Sequence, residues 1–230
     1  MQHLSEATKG LFSIIKVMKE FDLNGITYLR PVREGTDEWY YCLDYPDGDL
    51  YEAEELHDLG KTVKGNDLFL IHYPDGEVIR PIEKEDGTAI GEPVYHDGMI
   101  SILTVDFVKE LIRIYGFDCD KRILKERAVL PLSDVKDCYN LRLFEHPLTL
   151  TRQDNHGNLD IVWPLKKTIS TDPKESFFYR EDSRLYFNIW YEDPDYREET
   201  IVRDITTGEI IERMSGDIHI MPNGELWHLK

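Results

Sequence analysis

The chain has 230 residues, with 45 acidic against 27 basic side chains and a net charge of −18. That charge argues against direct binding to nucleic-acid phosphates or to an anionic membrane surface, and a hydrophobic content of 41% with 11% aromatics excludes a disordered chain. The length permits a substantial core, and a single all-β domain over residues 1–230 is the expected organisation.

Residues 5–21 place Leu11, Ile14, Ile15 and Met18 on one face at helical spacing, with Ser5 as N-cap and Asn24-Gly25 as a stop. A helix is expected there. The rival reading is a strand from Phe12 to Leu23 that turns at Asn24-Gly25. Either way, Ile26–Leu29 reads as a strand.

The next feature is a repeated turn. Tyr45-Pro46-Asp47-Gly48-Asp49-Leu50 returns as Tyr73-Pro74-Asp75-Gly76-Glu77-Val78 and again as Met221-Pro222-Asn223-Gly224-Glu225-Leu226. Proline presets φ for a type I turn, Asp or Asn suits the next position, and Gly takes φ > 0. Each copy is therefore expected to be a three-residue hairpin loop, which fixes register. The first copy would pair Tyr45 with Asp49, Asp44 with Leu50 and Leu43 with Tyr51. The second would pair Tyr73 with Glu77, His72 with Val78 and Ile71 with Ile79. The third would pair Ile220 with Leu226 and His219 with Trp227.

The second hairpin is apolar on both faces, with Phe69, Ile71 and Ile79 on one and Leu68, Leu70, Val78 and Ile82 on the other. A sheet with one solvated face would alternate more cleanly. Burial on both sides predicts sheets stacked in layers, as propeller blades are.

Further turns fall at Asp86-Gly87 and Asp97-Gly98, around a short strand near Pro93-Val94-Tyr95. Met99–Asp106, Lys109–Phe117 and Ile123–Leu132 read as strands, as do Tyr139–Phe144, Pro147–Arg152 and Leu159–Leu165. Phe177–Arg180 with Leu185–Tyr191, Thr200–Ile205 with Glu209–Arg213, and Asp217–Leu229 form the last hairpins. This cadence predicts an all-β, propeller-like fold of about five small blades at ~40–50 residues each. A two-sheet sandwich or barrel is the alternative. Two strands are marginal alone, so the last hairpin is expected to join residues 1–35 and close the ring.

Cys42, Cys119 and Cys138 are an odd number without CxxC spacing, which fits a reducing compartment. Met1–Glu6 lacks the basic and apolar regions of a secretion signal. The expected location is cytoplasmic.

GxSxG, GxxxxGK[ST] and HExxH are absent. Asp44 with Asp47 and Asp49, Asp75 with Glu77, and Asp154–Asn158 resemble sparse cation loops, but turn preference accounts for each. No metal and no cofactor is expected. His72, His96, His219 and His228 read as strand or turn residues.

The segment Trp190–Tyr196 sets large rings among acids in a loop. Its Trp190, Tyr191, Asp193, Asp195 and Tyr196 are the candidate binding residues, since such surfaces suit sugar stacking or an Arg/Lys-rich partner. Trp39-Tyr40-Tyr41 and Trp163 read mainly as strand packing. The expected function is a non-catalytic binding module for a protein, basic ones included, or a glycan, with neither nucleic acid nor membrane as partner. The alternative is a carboxylate-dependent glycoside hydrolase or lactonase-like enzyme with acids in a central channel.

Overall fold

A computed structural model describes residues 18–32, 36–221 and 223–230. Four antiparallel sheets follow one another along the chain as the blades of a β-propeller. Blade 1 is β1 (Arg30–Pro31), β2 (Trp39–Leu43), β3 (Leu68–His72) and β4 (Val78–Ile79), in that order. Blade 2 holds β5 (Thr88–Ile90), β6 (Val94–His96), β7 (Met99–Asp106), β8 (Leu111–Asp118) and β9 (Ile123–Pro131), with β5 and β6 both paired to β7. Blade 3 is β10 (Arg142–Glu145), β11 (Leu148–Gln153), β12 (Asn158–Trp163) and β13 (Lys167–Ser170). Blade 4 is β14 (Ser176–Glu181), β15 (Arg184–Tyr191), β16 (Arg197–Asp204) and β17 (Ile210–Ser215). A further hairpin, β18 (Asp217–Ile220) with β19 (Leu226–Leu229), follows blade 4 and is called the terminal hairpin.

The layers are held by apolar side chains on both faces of each inner sheet. Tyr41, Leu43, Leu68 and Leu70 of blade 1 meet Ile100, Ile102 and Phe117 of blade 2. The opposite face of blade 2 sends Leu103, Val105, Ile112 and Ile114 against Leu143, Leu148 and Leu150 of blade 3. Leu159 and Ile161 then meet Phe177, Phe187 and Ile201 of blade 4. This is why β7 reads as a nearly continuous apolar run: alternate residues serve two different interfaces. The outer face of blade 1, Phe69 and Ile71, is covered by Leu23 and Ile26.

About five blades were expected, and the fold has four. The terminal hairpin is not a fifth layer. Its Ile218, Ile220 and Leu226 lie on Tyr179, Tyr186, Val202 and Met214 of blade 4, so two strands serve as a cover. Its strands pair with each other, and β1 pairs with β2, so Arg30–Pro31 does not extend the hairpin. Most of the expected helix over 5–21 lies outside the described residues, and its last part, 18–21, has no regular structure. Ile26–Leu29 is also irregular, and strand pairing begins only at Arg30.

The three turn copies diverge, each for a local reason. All three glycines take the positive φ that the turn demands, +84°, +81° and +81° for Gly48, Gly76 and Gly224. The third copy behaves as expected: Ile220 faces Leu226, His219 faces Trp227, and Gly224 N–H donates to Met221 O at 2.8 Å. The second slips by one residue. Gly76 N–H reaches back to His72 O at 2.8 Å, Ile71 faces Val78 and Leu70 faces Ile79. His72 occurs only in this copy, and its Nδ1 lies 2.8 Å from Asp75 Oδ2. That bond draws Asp75 over the strand end and lengthens the loop. A one-residue slip exchanges faces, so Ile79 joins Leu68 and Leu70 at the blade 1–blade 2 interface.

The first copy is not a hairpin at all. Helix α1 (Leu50–Asp58) starts at its last residue, with Asp49 as N-cap. Asp49 Oδ1 accepts from Tyr51 N at 2.9 Å and Glu52 N at 3.0 Å, while Glu52 Oε2 accepts from Asp49 N at 2.8 Å. This reciprocal capping box needs Glu three residues after the acid. The other copies have Arg80 and His228 there. Leu50 and Tyr51 therefore leave the expected strand, and Ala53 is buried beside Leu50 in the blade 2–blade 3 core.

Candidate functional site

All four blades meet at one narrow cleft. Tyr41 of blade 1, Glu92 to Val94 at the start of β6 in blade 2, Arg142 to Glu145 of blade 3 and Phe178 of blade 4 line a space of about 50 Å³. A neighbouring cavity of about 250 Å³ shares Glu92 and Arg142 and adds Tyr45, Leu50, Cys138 and Asn140. Glu92 Oε1 accepts from Arg30 Nη1 at 2.7 Å and from Tyr45 O–H at 3.3 Å. Burial, reinforced by the Glu92 charge, pushes the Tyr45 phenol far above its ordinary pKa. Arg142 Nη2 donates to Asn140 Oδ1 at 3.2 Å, and Glu145 is buried at the cleft. The rings of His96 and His146 stand 5.6 Å apart across the blade 2–blade 3 boundary.

The three cysteines are free and buried. Burial pushes the Cys119 thiol up to about 11. Burial, reinforced by the Glu54 carboxylate, pushes the Cys138 thiol further, and burial raises Cys42 as well. All three therefore stay protonated near neutral pH and are poor nucleophiles.

The five residues singled out between 190 and 196 sit at the β15–β16 end of blade 4, but they do not share one face. Tyr191 turns toward the blade 3–blade 4 core, with the Arg197 guanidinium 4.0 Å from its ring centroid. Trp190 is on the opposite face, directly across from Glu198, and is 56% exposed. Tyr196 is 68% exposed, and its hydroxyl donates to Glu198 Oε1. That bond, reinforced by the charge of Asp217 in β18, pushes the Tyr196 phenol up. Asp193 and Asp195 are exposed at the loop tip, where Asp193 O accepts from Arg197 Nη1 at 3.4 Å. The accessible surface is thus Trp190, Tyr196 and Glu198, flanked by Asp193, Asp195 and Asp217. Glu198 was not foreseen, although an acid two residues past an exposed aromatic in a strand must share its face.

The acidic turns mostly serve the backbone. Asp47 accepts from Lys64 N, Asp44 accepts from Asp67 N, and Asp49 caps α1. Asp154 closes its own loop through His156 N at 2.9 Å and Asn158 N at 3.0 Å. His219 pairs with Asp217 at 3.2 Å, and His228 Nε2 lies 2.8 Å from Ser215 O. The second turn differs. There His72, Asp75 and Glu77 bring one ligand atom each within 4.8 Å of one another.

No protein-family model matches the chain, and no curated protein sequence matches it. Among the described residues no helix is long and apolar enough to cross a membrane.

Proposed function

We propose that the protein is a non-catalytic binding module, and that the β15–β16 end of blade 4 receives a cationic segment of a partner protein. The observation that carries this reading is the exposed pair Trp190 and Tyr196 with Glu198 between them on one face. Aromatic faces attract Arg and Lys, and adjacent carboxylates supply ion pairs at the same spot. A net charge of −18 adds long-range attraction for such a partner. Three buried, unpaired thiols support a reducing, cytoplasmic setting.

A carboxylate-dependent hydrolase is the second reading, favoured by Glu92 and the buried Glu145 at the four-blade cleft. Against it stands the size of the spaces at these acids, about 50 Å³ in the cleft and about 250 Å³ in the neighbouring cavity that shares Glu92, each below the ~300 Å³ of ordinary ligand pockets.

The test is capture from host lysate with the wild type and with Trp190→Ala/Tyr196→Ala, compared at low and high salt. Partners rich in Lys and Arg should be lost from the double variant and released by salt. An unchanged captured set would overturn the reading. Turnover of a chromogenic glycoside, abolished by Glu145→Gln, would replace it with the second.

A further inference from the structure

We propose that the tip of the second turn is a divalent transition-metal site, built from His72 Nδ1 and the carboxylates of Asp75 and Glu77, and that filling it releases Arg122 from Glu77. The three ligand atoms lie within 4.8 Å of one another. Ligands on a tetrahedral ion with bonds of about 2.0–2.1 Å stand roughly 3.3 Å apart. His72 Nδ1 and Asp75 Oδ2 are already 2.8 Å apart. Glu77 must swing inward, away from Arg122, and its exposed side chain has room to do so.

The one-residue slip of this hairpin is what assembles the set. In the expected register His72 would face Val78; in the observed one His72 N–H donates to Glu77 O at 2.9 Å, so the two residues stand opposite each other. Asp75 Oδ1 accepts from Glu77 N at 2.9 Å, which leaves Oδ2 directed at the imidazole. The ion would take the place of the proton between Nδ1 and Oδ2. One imidazole nitrogen with two carboxylates suits Zn²⁺, Ni²⁺ or Co²⁺ and not Ca²⁺, which favours an all-oxygen shell of higher number. Water would complete the coordination.

Two cations surround the site. Lys19 Nζ donates to the backbone carbonyls of Pro74 and Asp75 at 2.7 and 2.8 Å, so it holds the turn without occupying a carboxylate. Arg122 Nε does occupy one, donating to Glu77 Oε2 at 3.0 Å. The same guanidinium lies 4.7 Å from the Trp39 ring centroid, and the His72 ring lies 4.9 Å from it. Metal binding therefore changes two of the groups packed against Trp39, which makes this tryptophan a built-in reporter.

The experiment titrates the full chain with Zn²⁺ and Ni²⁺ by calorimetry and follows tryptophan emission. The wild type should bind one ion at this site with a change in emission, and Trp39→Phe should abolish the optical change while keeping the heat. Glu77→Gln and His72→Phe should each weaken binding by about tenfold or more. Arg122→Gln should tighten it, because the competing cation is gone. Glu77 is on the surface, so its substitution keeps the fold and the result interpretable. Affinity that ignores both Glu77→Gln and Arg122→Gln would mean adventitious binding at another histidine and would overturn the proposal, as would the absence of any binding.

Discussion

The pair that joins blade 3 to blade 4 can be tested in isolation. Arg203 of β16 grips Glu175 with two bonds, Nε to Oε2 at 2.7 Å and Nη2 to Oε1 at 2.8 Å. The Glu175 side chain is 1% exposed and that of Arg203 12%. Arg203 Nη1 also donates to Gly208 O at 2.8 Å, and Glu175 O accepts from Gln153 Nε2 of blade 3 at 2.6 Å. Arg203→Met keeps the apolar stem and leaves a carboxylate buried without its counter-charge. Breaking a buried pair in this way costs about 3–5 kcal/mol. At about 2–4 °C per kcal/mol for a chain of this size, Tm should fall by roughly 6–20 °C. Glu175→Gln keeps an acceptor oxygen for the guanidinium and leaves Arg203 the more accessible partner, so it should cost less. The variant Arg203→Met/Glu175→Met removes both charges and should recover much of the loss. The assay is urea unfolding of the wild type, Arg203→Met, Glu175→Met and Arg203→Met/Glu175→Met, read as a double-mutant cycle, with Glu175→Gln measured beside it and thermal scans giving Tm. A double variant no more stable than Arg203→Met alone would refute the idea that the buried carboxylate is the source of the cost, and so would a loss below about 1 kcal/mol for Arg203→Met.

Two further outcomes follow from local geometry. Asp49→Ala removes the cap of α1 and should cost about 1 kcal/mol, seen as a lower urea midpoint, whereas Asp49→Ser keeps an acceptor and should stay near wild type. The second concerns pH. His146 faces His96 of β6 and Tyr179 of β14, and His146 Nε2 and His96 Nδ1 are buried without a hydrogen-bond partner among the described residues. Burial, with His96 adding to it, pushes the His146 pKa below its ordinary 6.5. The unfolded chain therefore takes up this proton first as pH falls, so stability should drop below about pH 6.5 until the folded state also protonates. His146→Phe should flatten that slope in thermal scans between pH 7 and pH 5, and an unchanged slope would exclude His146 as its source.

Strand positions were legible because blade burial writes itself into the chain. Met99–Asp106 was expected as a strand and is one at the same bounds. The third turn was legible to the register, with Ile220 facing Leu226 and His219 facing Trp227 as expected. What failed were places where one extra side chain outvoted the turn. Glu52 converts the first copy into a helix start, and that signal was readable in Asp49-x-x-Glu52. His72 shifts the second copy, and nothing in local propensity announces that an imidazole will bind the turn aspartate. Blade count was beyond reach for a different reason. Whether a two-stranded hairpin caps a neighbour or founds a new layer depends on how many apolar residues the neighbour leaves uncovered, a tertiary quantity.

The site was legible only in part, and the reason is geometric. Sequence proximity gathered Trp190, Tyr191, Asp193, Asp195 and Tyr196 into one cluster, but period-two alternation deals Trp190 and Tyr191 to opposite faces. The surface that results is built from Trp190, Tyr196 and Glu198, which a pairing diagram of β15 against β16 would have delivered once the loop was fixed at residues 192–196. The four-blade cleft is different, because Tyr41, Glu92, Arg142, Glu145 and Phe178 are scattered over the chain and meet only when the blades do. One hint was present: Glu145 follows Leu143 and Phe144 and is followed by His146 and Pro147, an acid placed within a core strand. A buried carboxylate at the end of an apolar strand needs a partner, and the cleft that Glu145 lines draws its residues from all four blades. Convergence of the four blades is therefore a property of the fold, whereas exposure at the β15–β16 end is a property of the loop, which is why loop residues were the ones that a chain read in isolation could nominate.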